Sequence, residues 1–140
     1  QGVLVMRLKK EERGFTLVEV LIVVILVAIL AAIAVPKYMQ VVKGARASDA
    51  KVQMNAILNA AKIFEQETGY WPGDLTILEE DGYVELEEST KRQWTFQLIG
   101  DQQVQATSTA EMKGGAGNVV TFNIQEGRWE GYGFPKSSSE

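Results

Sequence analysis

The residue whose chemistry stands out in this sequence is Glu19, which lies in the run GFTLVEVLIVVILVAILAAIAVP. From Gly14 to Pro36 it is the only residue with a formal charge. A carboxylate inside such an apolar segment is costly in a bilayer, and ionisable residues in these positions usually serve a function. A group that pairs with the Glu19 carboxylate is therefore expected.

Catalysis and metal binding have few candidate residues. The 140-residue chain contains no cysteine and no histidine, which removes disulfides, thiolate ligands and the commonest general base. Carboxylates cluster after residue 78 and could in principle hold calcium, but a solvated acidic face is the simpler interpretation; they are Glu79, Glu80, Asp81, Glu85, Glu87 and Glu88. Paired-carboxylate glycosidase chemistry needs a substrate cleft that nothing here predicts. We expect no enzyme, no cofactor and no metal site.

The charge is distributed unevenly along the chain. The formal net charge is −4, yet residues 1–14 carry four basic and two acidic side chains. A basic flank before an apolar run favours an N-terminus in the cytoplasm. The remaining chain is acidic, which disfavours nucleic acid as a partner.

The run from Phe15 to Val35 is apolar on every side, which indicates burial in lipid or among other helices. About 20 helical residues cross a hydrocarbon core of roughly 30 Å. The sequence therefore predicts a transmembrane helix over residues 15–36. A cleavable secretory signal peptide is an alternative that topology leaves open, but it does not account for Glu19.

The helix is expected to continue beyond Pro36 as an amphipathic segment over residues 37–68. Pro36 is expected to kink it or remove one hydrogen bond, and Gly44 to loosen it further. Gly69 stands where a C-terminal cap belongs. A core-facing stripe follows helical spacing: Ala47, Ala50, Met54, Ile57, Ala61 and Phe64.

The C-terminal half predicts a sheet. A connecting segment spans residues 69–92, with a turn at Pro72-Gly73 and a short helical turn around Leu75–Glu80. Four β-rich stretches then alternate with Gly-containing turns over residues 93–135: QWTFQLI, QVQATSTA, NVVTFNIQ and RWEGYGF. The predicted class is α+β, with a long N-terminal helix on an up-and-down antiparallel sheet of about four strands. Residues 136–140 are expected to be disordered.

Large aromatic side chains are most simply core and sheet-face residues. An exposed aromatic patch for adhesion or electron conduction is the alternative. The residues are Tyr70, Trp71, Trp94, Phe96, Phe122, Trp129 and Tyr132.

The stretch RGFTLVEVLIVVILVAILAAIAVPKY closely resembles the N-terminus of type IV pilins and of the pseudopilins of type II secretion systems. GFTLVE follows a basic leader and precedes a long apolar run. The resemblance is strong from Arg13 to about Tyr38, and beyond that it concerns only the layout. It implies a pilin-like fold and a structural subunit of a filament.

The resemblance also implies roles for individual residues. Residues 1–14 would be a leader, and a prepilin peptidase would cut between Gly14 and Phe15 and N-methylate Phe15. Glu19 would support assembly by facing the terminal amine of a neighbouring subunit. Pro36 matches a position near which the helix often loses regular structure. Met6 offers a start for the leader, unless the upstream residues belong to a longer one.

The implied partners are copies of the chain and related pilins, the prepilin peptidase, an inner-membrane assembly platform and, before assembly, membrane lipid. The implied location is the inner membrane, as a single-pass protein with a cytoplasmic N-terminus, and then an extracellular pilus or a periplasmic pseudopilus. Many major pilins close a C-terminal loop with a disulfide, which this chain cannot form. That departure suits a short, minimal pilin or a pseudopilin. A signal-anchored solute-binding or enzymatic domain is the rival class.

Overall fold

A computed structural model describes Gly2 and residues 14–134. Within it the chain divides into two compact units, residues 1–36 and residues 37–140. The expected leader up to Arg13 (Gly2 excepted) and the expected disordered tail at 136–140 lie outside the described residues.

The first helix, α1, is Leu17–Thr68, and Pro36 lies inside it. In the first unit this helix is exposed along nearly its whole length, from Leu17 to Pro36. It is long and apolar enough to cross a membrane, judged by length and composition. In lipid, backbone hydrogen bonds within a helix satisfy the polar groups of its interior, and this requirement overrides the low helix propensity of its many Val and Ile residues.

In the second unit α1 is amphipathic, as its spacing predicts. The expected stripe faces the core, and its members are at most 3% exposed: Ala47, Ala50, Met54, Ile57, Ala61 and Phe64. The helix ends at Thr68, where the Gly69 N–H donates to the Glu65 carbonyl at 2.8 Å. Gly69 has a φ of 86°, a left-handed conformation that glycine adopts without a Cβ penalty.

Two short helices precede the sheet. The helix α2 is Leu75–Glu80, and its Asp74 cap accepts a hydrogen bond from the Ile77 N–H at 3.2 Å. The helix α3 is Glu88–Gln93; residues 88–92 were expected to be loop and Gln93 to begin the first strand. It has an acidic residue in its first turn and Lys91 and Arg92 in its last turn, which suits the helix dipole.

The sheet has four antiparallel strands in the order β1-β2-β3-β4, which confirms the predicted up-and-down topology. The strands are β1 Trp94–Ile99, β2 Gln103–Ser108, β3 Val119–Asn123 and β4 Arg128–Gly131. Trp94 pairs with Ser108, Ala106 with Val120, and Phe122 with Trp129. The observed α+β, pilin-like architecture is the one that the sequence predicted.

In the described part of the second unit, one hydrophobic core holds the helices and the sheet together. Its centre contains Met54 and Ile57 from α1, Leu78 from α2, and Trp94 and Val104 from the sheet, all at most 1% exposed. Alternate residues of β2 face this core, which is the period-two pattern of a sheet with one covered face.

Candidate functional site

The expected cleavage point lies just before α1. Gly14, Phe15 and Thr16 precede the helix and are exposed, and the Phe15 side chain is 88% exposed. A peptide bond outside regular structure is the kind that a protease can bind in extended form. The Gly14–Phe15 bond is therefore accessible in the described structure.

Thr16 and Glu19 form a reciprocal cap at the start of α1. The Thr16 N–H donates to Glu19 Oε2 at 3.3 Å, and the Glu19 N–H donates to Thr16 Oγ1 at 3.2 Å. This is the capping box, in which a Thr and a Glu three residues apart satisfy two N–H groups that the first turn leaves unpaired. Thr16 was not predicted as a capping residue, although the T-x-x-E spacing was sufficient to find it.

The cap uses only part of the Glu19 side chain. Among the described residues, Oε2 accepts the Thr16 hydrogen bond and Oε1 has no hydrogen-bond partner. Glu19 is exposed, so a cation from outside the chain can reach its carboxylate.

A shallow apolar groove adjoins this carboxylate. It measures about 540 Å³, and among the described residues that line it Glu19 is the only charged one; the others are Phe15, Val20, Ile22, Val23 and Val24. An apolar groove with a single acidic group suits a partner that is apolar and carries one positive charge.

The two residues expected to weaken the helix lie further along it. Pro36 is within α1, and the helix runs through it. Gly44 lies in the second unit, where an added Cβ would stand 3.7 Å from the Gly133 carbonyl oxygen. The Ser48 hydroxyl also donates to the Gly44 carbonyl at 2.9 Å. The expected kink or melting at Pro36 and Gly44 stays a prediction.

Some acidic residues of the connecting segment have local partners. Glu79 forms an ion pair with Lys91 at 3.3 Å, and Glu87 accepts a hydrogen bond from the Ser89 hydroxyl at 2.8 Å. Over the described ranges, no group of three or more carboxylates is placed to hold a metal ion. These contacts give the acidic residues structural roles on a solvated surface.

The aromatic residues lie mainly in or against the core. Trp94 is buried, and Phe122 and Trp129 stand on neighbouring strands with ring centroids 4.7 Å apart. Trp129 stacks on Phe134 at 5.6 Å, and the Lys51 ammonium lies 5.1 Å from the Trp129 ring centroid. Tyr70 differs, since it is largely exposed.

Comparison with known proteins points to one family. Residues 9–35 match the family described as "Prokaryotic N-terminal methylation motif". The chain is 41% identical over 63 residues to the "Type IV major pilin protein PilA" of Myxococcus xanthus, which is 45% of this chain and 29% of that relative. It is 37% identical over 67 residues to the "Fimbrial protein EcpC" of Eikenella corrodens, which is 48% of this chain and 44% of the relative.

A third relative gives the same result. The "Type IV major pilin protein PilE" of Neisseria gonorrhoeae is 37% identical over 65 residues, covering 46% of this chain and 39% of the relative. The matches thus span less than half the length of each of these relatives. All three carry pilin or fimbrial names, and the matched motif contains Gly14, Phe15 and Glu19. Over this N-terminal segment, the chain is similar to type IV pilins and fimbrial proteins.

Proposed function

We propose that this chain is a non-catalytic structural subunit that polymerises through residues 15–36 into a type IV pilus-like filament. The observation that carries the proposal is the exposed Glu19 carboxylate at the start of an apolar helix segment that buries almost nothing; its Oε1 has no hydrogen-bond partner among the described residues. A helix that is apolar on all sides needs lipid or other helices around it.

Before assembly, membrane lipid surrounds the apolar segment. Before assembly the segment 15–36 spans the inner membrane, with the basic residues before Gly14 in the cytoplasm. Burial of a carboxylate in lipid costs about 2.5–3.5 kcal/mol at the centre of a bilayer and less nearer the interface. A monomer therefore carries a penalty that assembly can remove.

Cleavage by the peptidase produces the positive charge that pairs with Glu19. A prepilin peptidase cuts the exposed Gly14–Phe15 bond, Phe15 becomes the N-terminus, and its amine is methylated and stays positive. A cation beside a carboxylate in a medium of low dielectric constant is attracted far more strongly than in water. Glu19 of one subunit pairs with the Phe15 amine of a neighbour, and this contact sets the stagger between subunits as they join at the inner-membrane assembly platform.

A pseudopilin of a type II secretion system is the second candidate. The observation that favours it is the absence of cysteine, which leaves the C-terminal sheet without a disulfide. The names of the relatives favour the pilus. Deletion of the gene followed by counts of surface filaments and of secreted protein distinguishes the two: a pilin deletion removes surface filaments and leaves secretion intact.

The test of assembly is the substitution Glu19→Ala in cells that express the full chain. We expect the variant to accumulate in the membrane while sheared filaments fall to background. N-terminal mass spectrometry checks processing in the same cells, where the mature chain should begin at methylated Phe15. Wild-type filament levels in Glu19→Ala would refute the assembly role, and an uncut Gly14–Phe15 bond in assembled material would refute processing.

A further inference from the structure

The charges of the second unit are separated along its sequence. Residues 37–51 contain four basic side chains and one acidic one, whereas residues 65–88 contain nine acidic side chains and no basic one. The ion pairs found in the described part of the chain are made by Lys91 and Arg128. Lys43 and Arg46 therefore have no carboxylate partner among those residues.

Lys43 lines a cleft between α1 and the end of β4 with the residues after it, and Arg46 contacts the Tyr132 hydroxyl of that cleft. The cleft measures about 300 Å³ and is lined by Gln40, Lys43 and residues 131–134. Gly133 brings the backbone onto the helix, since an added Cβ would come within 2.6 Å of the Lys43 carbonyl oxygen. The wall of the cleft is thus fixed by close packing.

The polar groups at this cleft are mostly donors. Arg46 Nη1 donates to the Tyr132 hydroxyl oxygen at 3.5 Å, which leaves the Tyr132 proton available for another acceptor. Lys43 contributes an ammonium and Gln40 an amide N–H₂ group. The Lys43 ammonium beside two neutral donors, with Arg46 supporting Tyr132, suits an oxyanion, and Phe134 adds an apolar wall.

In the sequence, the first residue of this cleft follows closely after the apolar run. Gln40 follows Val35 by five residues, which span at most about 18 Å. The polar headgroup layer adds about 5–8 Å to each side of the hydrocarbon core. Tyr38 and Met39 between them are exposed, and a tyrosine suits the boundary between lipid and water.

The basic residues do not serve as an orientation signal. Four Lys and Arg residues follow Pro36 within 15 positions, as many as precede Gly14, so their count opposes the orientation that the leader favours. Basic residues near a bilayer surface are instead attracted by anionic lipids.

We infer that the cleft of Gln40, Lys43, Arg46 and Tyr132 binds the phosphate group of an anionic phospholipid while the subunit is in the membrane. Lys43 and the Tyr132 hydroxyl contact the phosphate oxygens, and Arg46 holds the Tyr132 oxygen so that its proton points outward. The inference rests on the proposed function only in requiring that residues 15–36 lie in a membrane.

The experiment is native mass spectrometry of the full chain extracted in detergent and supplied with phosphatidylglycerol or phosphatidylcholine. We expect the wild type to retain phosphatidylglycerol preferentially. Lys43→Gln should lower that retention about fivefold, the effect of one basic residue at an anionic surface. Tyr132→Phe should also lower it, while Lys62→Gln, which removes the same charge elsewhere on α1, should leave it unchanged.

Each contrary outcome is distinct. An equal loss in Lys43→Gln and Lys62→Gln would mean diffuse attraction without a site, and no loss in either would overturn the proposal. Displacement of the lipid by inorganic phosphate would identify a phosphate site instead. If Lys43→Gln abolishes filaments but retains lipid, the cleft belongs to a contact with a second copy. Glu19→Ala should not change lipid retention, so failure of the assembly proposal is detected separately.

Discussion

Glu19 caps α1 and has a proposed role in assembly, and the two need different parts of its side chain. One carboxylate oxygen completes the capping box with Thr16, and the other is without a partner in the described structure. Capping needs only an oxygen acceptor, which glutamine also supplies, whereas pairing with an amine needs the negative charge. The two functions can therefore be separated by substitution.

Tyr83 offers a test of local electrostatics. Its hydroxyl donates to Glu67 at 2.5 Å, and this hydrogen bond, together with burial and the charge of Glu67, raises the pKa of Tyr83 above 10.0. The contribution to stability is present below the unfolded pKa and is lost as pH rises through the higher folded value. Glu67→Gln should lower the pKa of Tyr83 toward its ordinary value, as measured by NMR titration of the Tyr83 ring.

The matched control for this prediction is Glu65→Gln, which removes the same charge from the same helix turn. It should leave the Tyr83 titration nearly unchanged. An unchanged titration in Glu67→Gln would contradict the assignment of the hydrogen bond as the main cause.

Gly133 tests the close approach between the C-terminal segment and α1. It has a φ of 79°, and an added Cβ would come within 2.6 Å of the Ala47 Cβ. Gly117 has a similar φ of 84° but no atom within 4 Å of such a Cβ. Gly117→Ala should therefore cost about 1–2 kcal/mol from the backbone alone, and Gly133→Ala a further 1–3 kcal/mol or so from the overlap.

Chemical denaturation of the detergent-solubilised chain, followed by tryptophan fluorescence, measures both glycine variants. Equal losses of stability would mean that the segment moves away from the helix at no cost.

At the scale of elements, α1 in the second unit has one face that packs and one that does not. Ile57 is 0% exposed, whereas Val52 on the same helix is 63% exposed. Ile57→Ala should lower the free energy of unfolding by about 2–5 kcal/mol, because it removes buried contacts and leaves a cavity. Val52→Ala should change it by less than about 0.5 kcal/mol. The same denaturation measurement compares them, and a large loss in Val52→Ala would contradict the assigned faces.

The sequence predicted the elements whose signals are local and periodic. The stripe from Ala47 to Phe64 and the four alternating strands follow from residue spacing alone. The helix α3 could not be predicted in this way, because its six residues show no helical spacing of apolar side chains. It is stabilised by contacts from elsewhere: Thr90 is buried, and Lys91 pairs with Glu79 of α2.

The functional residues also differ in whether the sequence could predict them. Gly14, Phe15 and Glu19 could be found because they lie together in one short motif. The cleft at Lys43 could not, since Arg46 and Tyr132 are 86 residues apart and meet only in the folded unit. Long-range contacts of this kind leave no periodic signal in the sequence.

At the scale of the whole molecule, the two units differ in how their apolar residues are buried. Residues 37–134 bury their own apolar core, whereas the segment from Leu17 to Val35 buries almost nothing of its own. A segment of this kind is stable only in lipid or beside other helices. We therefore infer that the second unit folds on its own core and that the first unit serves assembly.

The most direct test of the central claim compares Glu19→Gln with Thr16→Ala in cells that express the full chain. Glu19→Gln keeps an oxygen for the cap and removes the charge, whereas Thr16→Ala weakens the cap, by about 1 kcal/mol, and keeps the charge. The measurement is the amount of sheared filament relative to the membrane pool of subunit. The account predicts that filaments are lost in Glu19→Gln and persist in Thr16→Ala. Abundant filaments in Glu19→Gln, with loss in Thr16→Ala, would contradict it and would reduce Glu19 to a helix cap.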